Sequence, residues 1–96
     1  MAATGQLYDK IQSKMSDKIL IVEDEVRIVR TLRLYLEQAG FVVTAVHTGH
    51  EAIPAFRQER PSLVLLDLNL PGQDGLDVCR SLRRLGNVPI IMLTAR

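Results

Sequence analysis

Four short apolar runs, each too continuous to be one stripe of a surface helix, limit what this chain can fold into. They are Ile19-Leu20-Ile21-Val22, Phe41-Val42-Val43-Thr44-Ala45-Val46, Leu63-Val64-Leu65-Leu66 and Pro89-Ile90-Ile91-Met92-Leu93-Thr94. Runs of this length, rich in β-branched residues, suit strands buried on both faces of a parallel sheet. Parallel strands need crossover connections of about a dozen residues, which helices commonly supply. The segments between the runs carry helical patterning, so the order reads β-α-β-α-β-α-β. That alternation predicts an open α/β sheet covered on both faces.

The first intervening segment places Ile28, Val29, Leu32, Tyr35, Leu36 and Ala39 at helical spacing, with Arg27, Arg30, Arg33 and Glu37 off that stripe. It predicts a helix from Val26 to Ala39, with Gly40 where a C-terminal glycine belongs and Leu34 off the main stripe. Thr48-Gly49-His50-Glu51 has the form of a capping box opening a second helix through Ala52, Ala55 and Phe56. Pro54 removes a backbone donor inside it and predicts a short or kinked element. Gly75 opens a third helix, with Val78, Cys79, Leu82 and Leu85 on one face and Asp77, Arg80, Arg83 and Arg84 on the other. Residues 1–16 show neither clean periodicity nor strong turn chemistry and read as an N-terminal extension or expression remnant. Residues 17–96 then form the folded domain.

Composition narrows the class. Ninety-six residues allow one domain, and 47% apolar content is enough for a core. A net charge of +1 gives no global field toward DNA or an anionic membrane. The single Cys79 cannot form an internal disulfide, and no apolar run approaches the ~18 residues that span a bilayer. The first fourteen residues carry Lys10 and Lys14 without an apolar stretch, unlike a signal peptide. The expectation is a soluble cytoplasmic domain with no membrane contact.

In open α/β sheets, ligands bind beyond the carboxyl ends of the strands. Strand 1 ends in Glu23-Asp24, strand 3 in Asp67 and strand 4 in Thr94. Each has an ordinary reading when taken alone: Asp24 as a helix cap, Asp67 as a turn former, Thr94 as a β-branched strand end. Together they put three carboxylates and a hydroxyl on one edge of the sheet. Clustered carboxylates repel unless a cation neutralises them, and magnesium favours oxygen ligands of this kind. A carboxylate can also attack a phosphoryl group to form an acyl phosphate. His47 and His50 read as surface histidines and Cys79 as a core thiol rather than as a metal site.

Three segments resemble the response-regulator receiver family of two-component signalling. Ile19-Leu20-Ile21-Val22-Glu23-Asp24-Glu25 resembles its opening strand and acidic pair. Asp67-Leu68-Asn69-Leu70-Pro71-Gly72-Gln73-Asp74-Gly75 resembles its phosphoacceptor loop, and Pro89-Ile90-Ile91-Met92-Leu93-Thr94-Ala95 its fourth strand. The resemblance covers residues 18–96 and implies a flavodoxin-like doubly wound parallel sheet with strand order 2-1-3-4. It implies Asp67 as acceptor of a phosphoryl group from a sensor histidine kinase. Glu23, Asp24, Asp67 and the Asn69 backbone carbonyl would hold Mg2+, and Thr94 with the Asn69 and Ala95 N–H groups would face the phosphoryl oxygens. The implied role is a signalling switch rather than an enzyme, regulating an output such as transcription in a longer protein. DNA would then be contacted by another domain.

Two departures qualify the resemblance. Glu23 stands where many members have Asp. The family also uses a lysine after a fifth strand, and no lysine follows Lys18 here. The chain reads as lacking that strand and the last two helices, which exposes Ile90-Ile91-Met92-Leu93 as a sheet edge. The expectation is a homodimer or an exchange of elements between copies, with a non-switching fragment acting through protein contacts as the alternative function. An aspartate-nucleophile phosphatase, a related architecture, needs a second Asp two positions after the nucleophile, and Asn69 occupies that place.

Overall fold

A computed structural model describes residues 17–93. The elements follow the expected order: β1 (Lys18–Val22), α1 (Val26–Gln38), β2 (Val42–Val46), α2 (Gly49–Glu59), β3 (Leu63–Leu66), α3 (Gly75–Leu85) and β4 (Ile90–Met92). All neighbours pair in parallel, and the strands lie in the order β2-β1-β3-β4. The register sets Val22 beside Val46 on one side and Leu66 on the other, so three strand ends finish level.

Strand side chains alternate between faces, and the two cores divide accordingly. Leu20, Val22, Val64 and Leu66 pack with Ala52 of α2 and with Val78 and Leu82 of α3. Ile19, Ile21, Val43 and Leu65 pack with Val29, and with the half-buried Leu32 and Leu36, of α1. The chain is therefore doubly wound, with α2 and α3 on one face and α1 on the other. Burying each such Leu, Ile or Val contributes about 1.5–3 kcal/mol. That driving force, spread over two faces, fixes β1 and β3 as the centre of the sheet.

Several local expectations need correction. α2 is not short: it runs for 11 residues through Pro54. Pro54 points outward while Ala52 and Phe56 pack against the core, and that packing outweighs the lost backbone bond. Thr48 does cap it, accepting from the Glu51 N–H at 3.3 Å, while the Thr48 hydroxyl donates to the Glu51 carboxylate at 2.9 Å. On α1, only part of the expected stripe meets the sheet. Val29, Leu32 and Leu36 do; Ile28, Ala39 and Tyr35 (66% exposed) do not, and Leu34 is exposed as expected. Leu85 is likewise exposed on α3, whereas Cys79 packs against the core.

β4 forms three residues of strand rather than six, and its edge leaves Ile91 and Met92 exposed. Backbone bonds extend its pairing at both ends, from the Val64 N–H to the Pro89 carbonyl and from the Leu93 N–H to the Leu66 carbonyl. The expected extension over residues 1–16, and Thr94 and Ala95, lie outside the described residues.

Candidate functional site

The carboxyl ends of β1 and β3 lie side by side because the two strands are hydrogen-bonded neighbours. The Asp67 N–H donates to the Val22 carbonyl at 2.9 Å, and the Glu23 N–H to the Val46 carbonyl at 3.0 Å. These bonds continue the sheet one residue past its formal ends and hold Glu23 and Asp67 in register. Both are buried, at 1% and 5% exposure, while Asp24 is exposed. One oxygen from each of Glu23, Asp24 and Asp67 lies within 4.8 Å of the others.

Local bonds aim these oxygens. The Glu25 N–H donates to Glu23 Oε2 at 3.1 Å. The Asn69 N–H donates to Asp67 Oδ1 at 2.9 Å, an Asx-type turn that holds the carboxylate against its own loop. Asn69 itself is exposed. Asp24, a plausible cap by sequence, does not cap α1: the N-cap position is Glu25, with no side-chain cap bond. Its carboxylate is left to the cluster.

Burial pushes the Glu23 carboxyl up from 4.5 to about 7, and hydrogen bonding to Asp67 and Asp24 together with the charge of Asp67 adds to the rise. The bond from the Glu25 N–H pulls the other way and is outweighed. Three carboxylates in this space cannot all be charged cheaply, so the site favours either a proton or a cation. The donor set consists of oxygens alone, opening to solvent on the Asp24 side. That fits a hard divalent ion such as Mg2+, which keeps several waters and takes one or two carboxylates.

Two contacts at this edge were not legible in the motifs. His47, an exposed histidine, places Nδ1 2.9 Å from the Glu23 carbonyl, so this nitrogen carries the proton when it donates there. Gly75 is buried at the start of α3, where an added Cβ would lie 2.4 Å from Leu68 Cα and 2.7 Å from the Asp67 carbonyl oxygen. Only glycine lets α3 approach the backbone of Asp67 this closely. The Asp74 carboxylate caps that helix through the Leu76 N–H at 2.9 Å. His50 is exposed and joins no cluster of metal-ligating side chains among the described residues.

Comparison with known proteins places most of the chain among relatives. The family model for the response regulator receiver domain matches residues 19–96. The transcriptional regulatory protein BaeR of Escherichia coli is 47% identical over 79 residues, covering 82% of this chain and 33% of that protein. ResD of Bacillus subtilis, also a transcriptional regulatory protein, is 48% identical with the same coverage. The chain thus spans about a third of the length of these curated relatives. Among solved structures, the BeF3-activated N-terminal receiver domain of Klebsiella pneumoniae RstA superposes with a TM-score of 0.76 at 37% identity, covering 79% of this chain and 65% of that one. The N-terminal domain of a response regulator receiver protein from Methanoculleus marisnigri gives 0.78 at 30% identity, covering 83% and 68%.

Proposed function

The chain belongs to the response regulator receiver family, and from that premise we propose that Asp67 is its phosphoacceptor, with Glu23, Asp24 and Asp67 holding Mg2+. The observation that carries this reading is the meeting of three carboxylate oxygens within 4.8 Å at the ends of β1 and β3. The Asn69 backbone carbonyl supplies a further ligand. Residues 17–96 make up the receiver unit.

The donor is a phosphohistidine on a sensor histidine kinase. An Asp67 carboxylate oxygen attacks phosphorus, an O–P bond forms and the P–N bond breaks. The leaving imidazole nitrogen keeps the electron pair and takes a proton from solvent. Bound Mg2+ supplies positive charge that offsets the charge brought together by the phosphoryl oxygens and the carboxylates. Asp67 is held for attack by the Asn69 N–H and by the sheet bond to Val22. By the same family reading, Thr94 is assigned the phosphoryl contact and the switch, and the Ala95 N–H a phosphoryl contact. Phosphorylation shifts an existing equilibrium between conformers. The output is transcription, which the names of BaeR and ResD give for those proteins, through a DNA-binding domain outside this chain.

Intact mass after incubation with acetyl phosphate and Mg2+ tests the proposal. One phosphoryl group should be gained, and the gain should vanish in Asp67→Asn and on chelation of the metal. A gain that survives Asp67→Asn would place the acceptor elsewhere.

A further inference from the structure

The loop of residues 67–74 is pinned at two places. The first pin is Gly75 against the Asp67 and Leu68 backbone, reinforced by the Gly75 N–H donating to the Leu68 carbonyl at 3.2 Å. The second is Gln73. Its amide lies against Gly49, the buried first residue of α2, which the buried Val78 of α3 also approaches. A Cβ on Gly49 would lie 2.4 Å from Gln73 Oε1, 3.0 Å from its Cδ and 2.9 Å from Val78 Cγ2. Gln73 Oε1 is fully buried and accepts no hydrogen bond from the described residues.

A buried carbonyl without a donor is costly, so shape and not hydrogen bonding keeps the side chain there. The contact joins two parts that the sheet alone does not lock together, the loop bearing Asp67 and the N-terminus of α2, at a point that Val78 of α3 also reaches.

We propose that Gln73 is a positioning residue for the Asp67 site, its amide seated against Gly49 to fix the loop that carries one of the three metal-binding carboxylates. This rests on the phosphoacceptor reading and adds a residue that touches neither metal nor phosphoryl group. Gly49 is its required partner: a methyl there displaces Gln73 and moves the loop, while shortening Gln73 makes room for that methyl.

The test is Mg2+ titration by calorimetry on the wild-type chain, Gly49→Ala, Gln73→Ala and the double variant, alongside the rate of mass gain from acetyl phosphate. Gly49→Ala should weaken Mg2+ binding and slow phosphorylation by about tenfold, since sub-ångström misplacement of reacting groups is amplified in rate. The double variant should recover to within about threefold of wild type. A merely structural contact would lower thermal stability in both variants without this rescue of affinity and rate. Should Gly49→Ala fail to fold, Gln73→Leu, which keeps the bulk, is expected to bind Mg2+ as wild type does and Gln73→Ala more weakly. Gly49→Ala binding Mg2+ like wild type, a double variant no better than Gly49→Ala, or Gln73→Ala equal to Gln73→Leu would overturn the proposal. A wild-type chain that neither binds Mg2+ nor gains a phosphoryl group would instead overturn the reading beneath it.

Discussion

Two acidic residues stand just ahead of helices at the same edge of this molecule and do opposite things. Asp74 turns its carboxylate onto the Leu76 N–H and caps α3. Asp24, one residue before the α1 N-cap, caps nothing and joins Glu23 and Asp67. Thr48 likewise caps α2. Of the three helices among the described residues, α1 alone starts without a side-chain cap, and it starts beside the carboxylate cluster. Local helix stability, about 1 kcal/mol per cap, is forgone at the junction where the acidic groups converge. An acidic residue before a helix is therefore structural or functional according to where its carboxylate points.

The comparison can be broken in four places. The largest effect is expected from Glu23. Its carboxyl titrates near 7 in the fold against 4.5 in the open chain. The native state therefore holds the proton more tightly, and metal-free stability falls as pH rises from about 4.5 to 7 and levels off above. The shift corresponds to at most about 3 kcal/mol. Urea melts at pH 5 and pH 8 should show this fall in the wild-type chain and a flatter profile in Glu23→Gln, with Mg2+ restoring stability to wild type at pH 8. Equal slopes for the two chains would mean Glu23 is not the titrating group.

Gly75→Ala should follow, at about 2 kcal/mol, because the new methyl meets the Asp67 and Leu68 backbone rather than a movable side chain. A thermal melt reads it directly, and an unshifted midpoint would show that α3 can retreat from the loop at no cost. Asp24→Asn should weaken Mg2+ about tenfold with little change in metal-free melting. Asp74→Ala should do the reverse, losing about 1 kcal/mol of stability while Mg2+ affinity is retained. If the two variants behave alike in both measurements, the division between capping and site carboxylates has no energetic content.

Much of the architecture was legible because the hydrophobic pattern and the topology enforce each other. Four continuous apolar runs separated by amphipathic segments leave few arrangements, and the parallel sheet with order 2-1-3-4 is among them. The carboxylates were legible because strand ends are where such sheets bind ligands. What was not legible depended on tertiary detail. Pro54 predicts a short or kinked helix, yet α2 runs for 11 residues through it because the packing of Ala52 and Phe56 outweighs the lost backbone bond. Ile28 and Tyr35 fit the helical period of α1 but sit on its flanks, away from the sheet. His47 looked like any surface histidine until the strand register set it beside the Glu23 carbonyl. Gly49 and Gln73 lie 24 positions apart, and no local motif links them. A glycine at the first position of α2, where Thr48 already supplies the cap, was the only hint of a close neighbour.

The measurement that bears most directly on the central claim is chemical location of the phosphoryl group. The chain is incubated with acetyl phosphate and Mg2+, reduced with borohydride to trap any acyl phosphate as an alcohol, and mapped by peptide mass spectrometry. The account predicts a single reduced site at Asp67, absent when the metal is chelated. Reduction at Glu23 or Asp24 in place of Asp67, or a metal-independent pattern spread over the surface carboxylates, would contradict it.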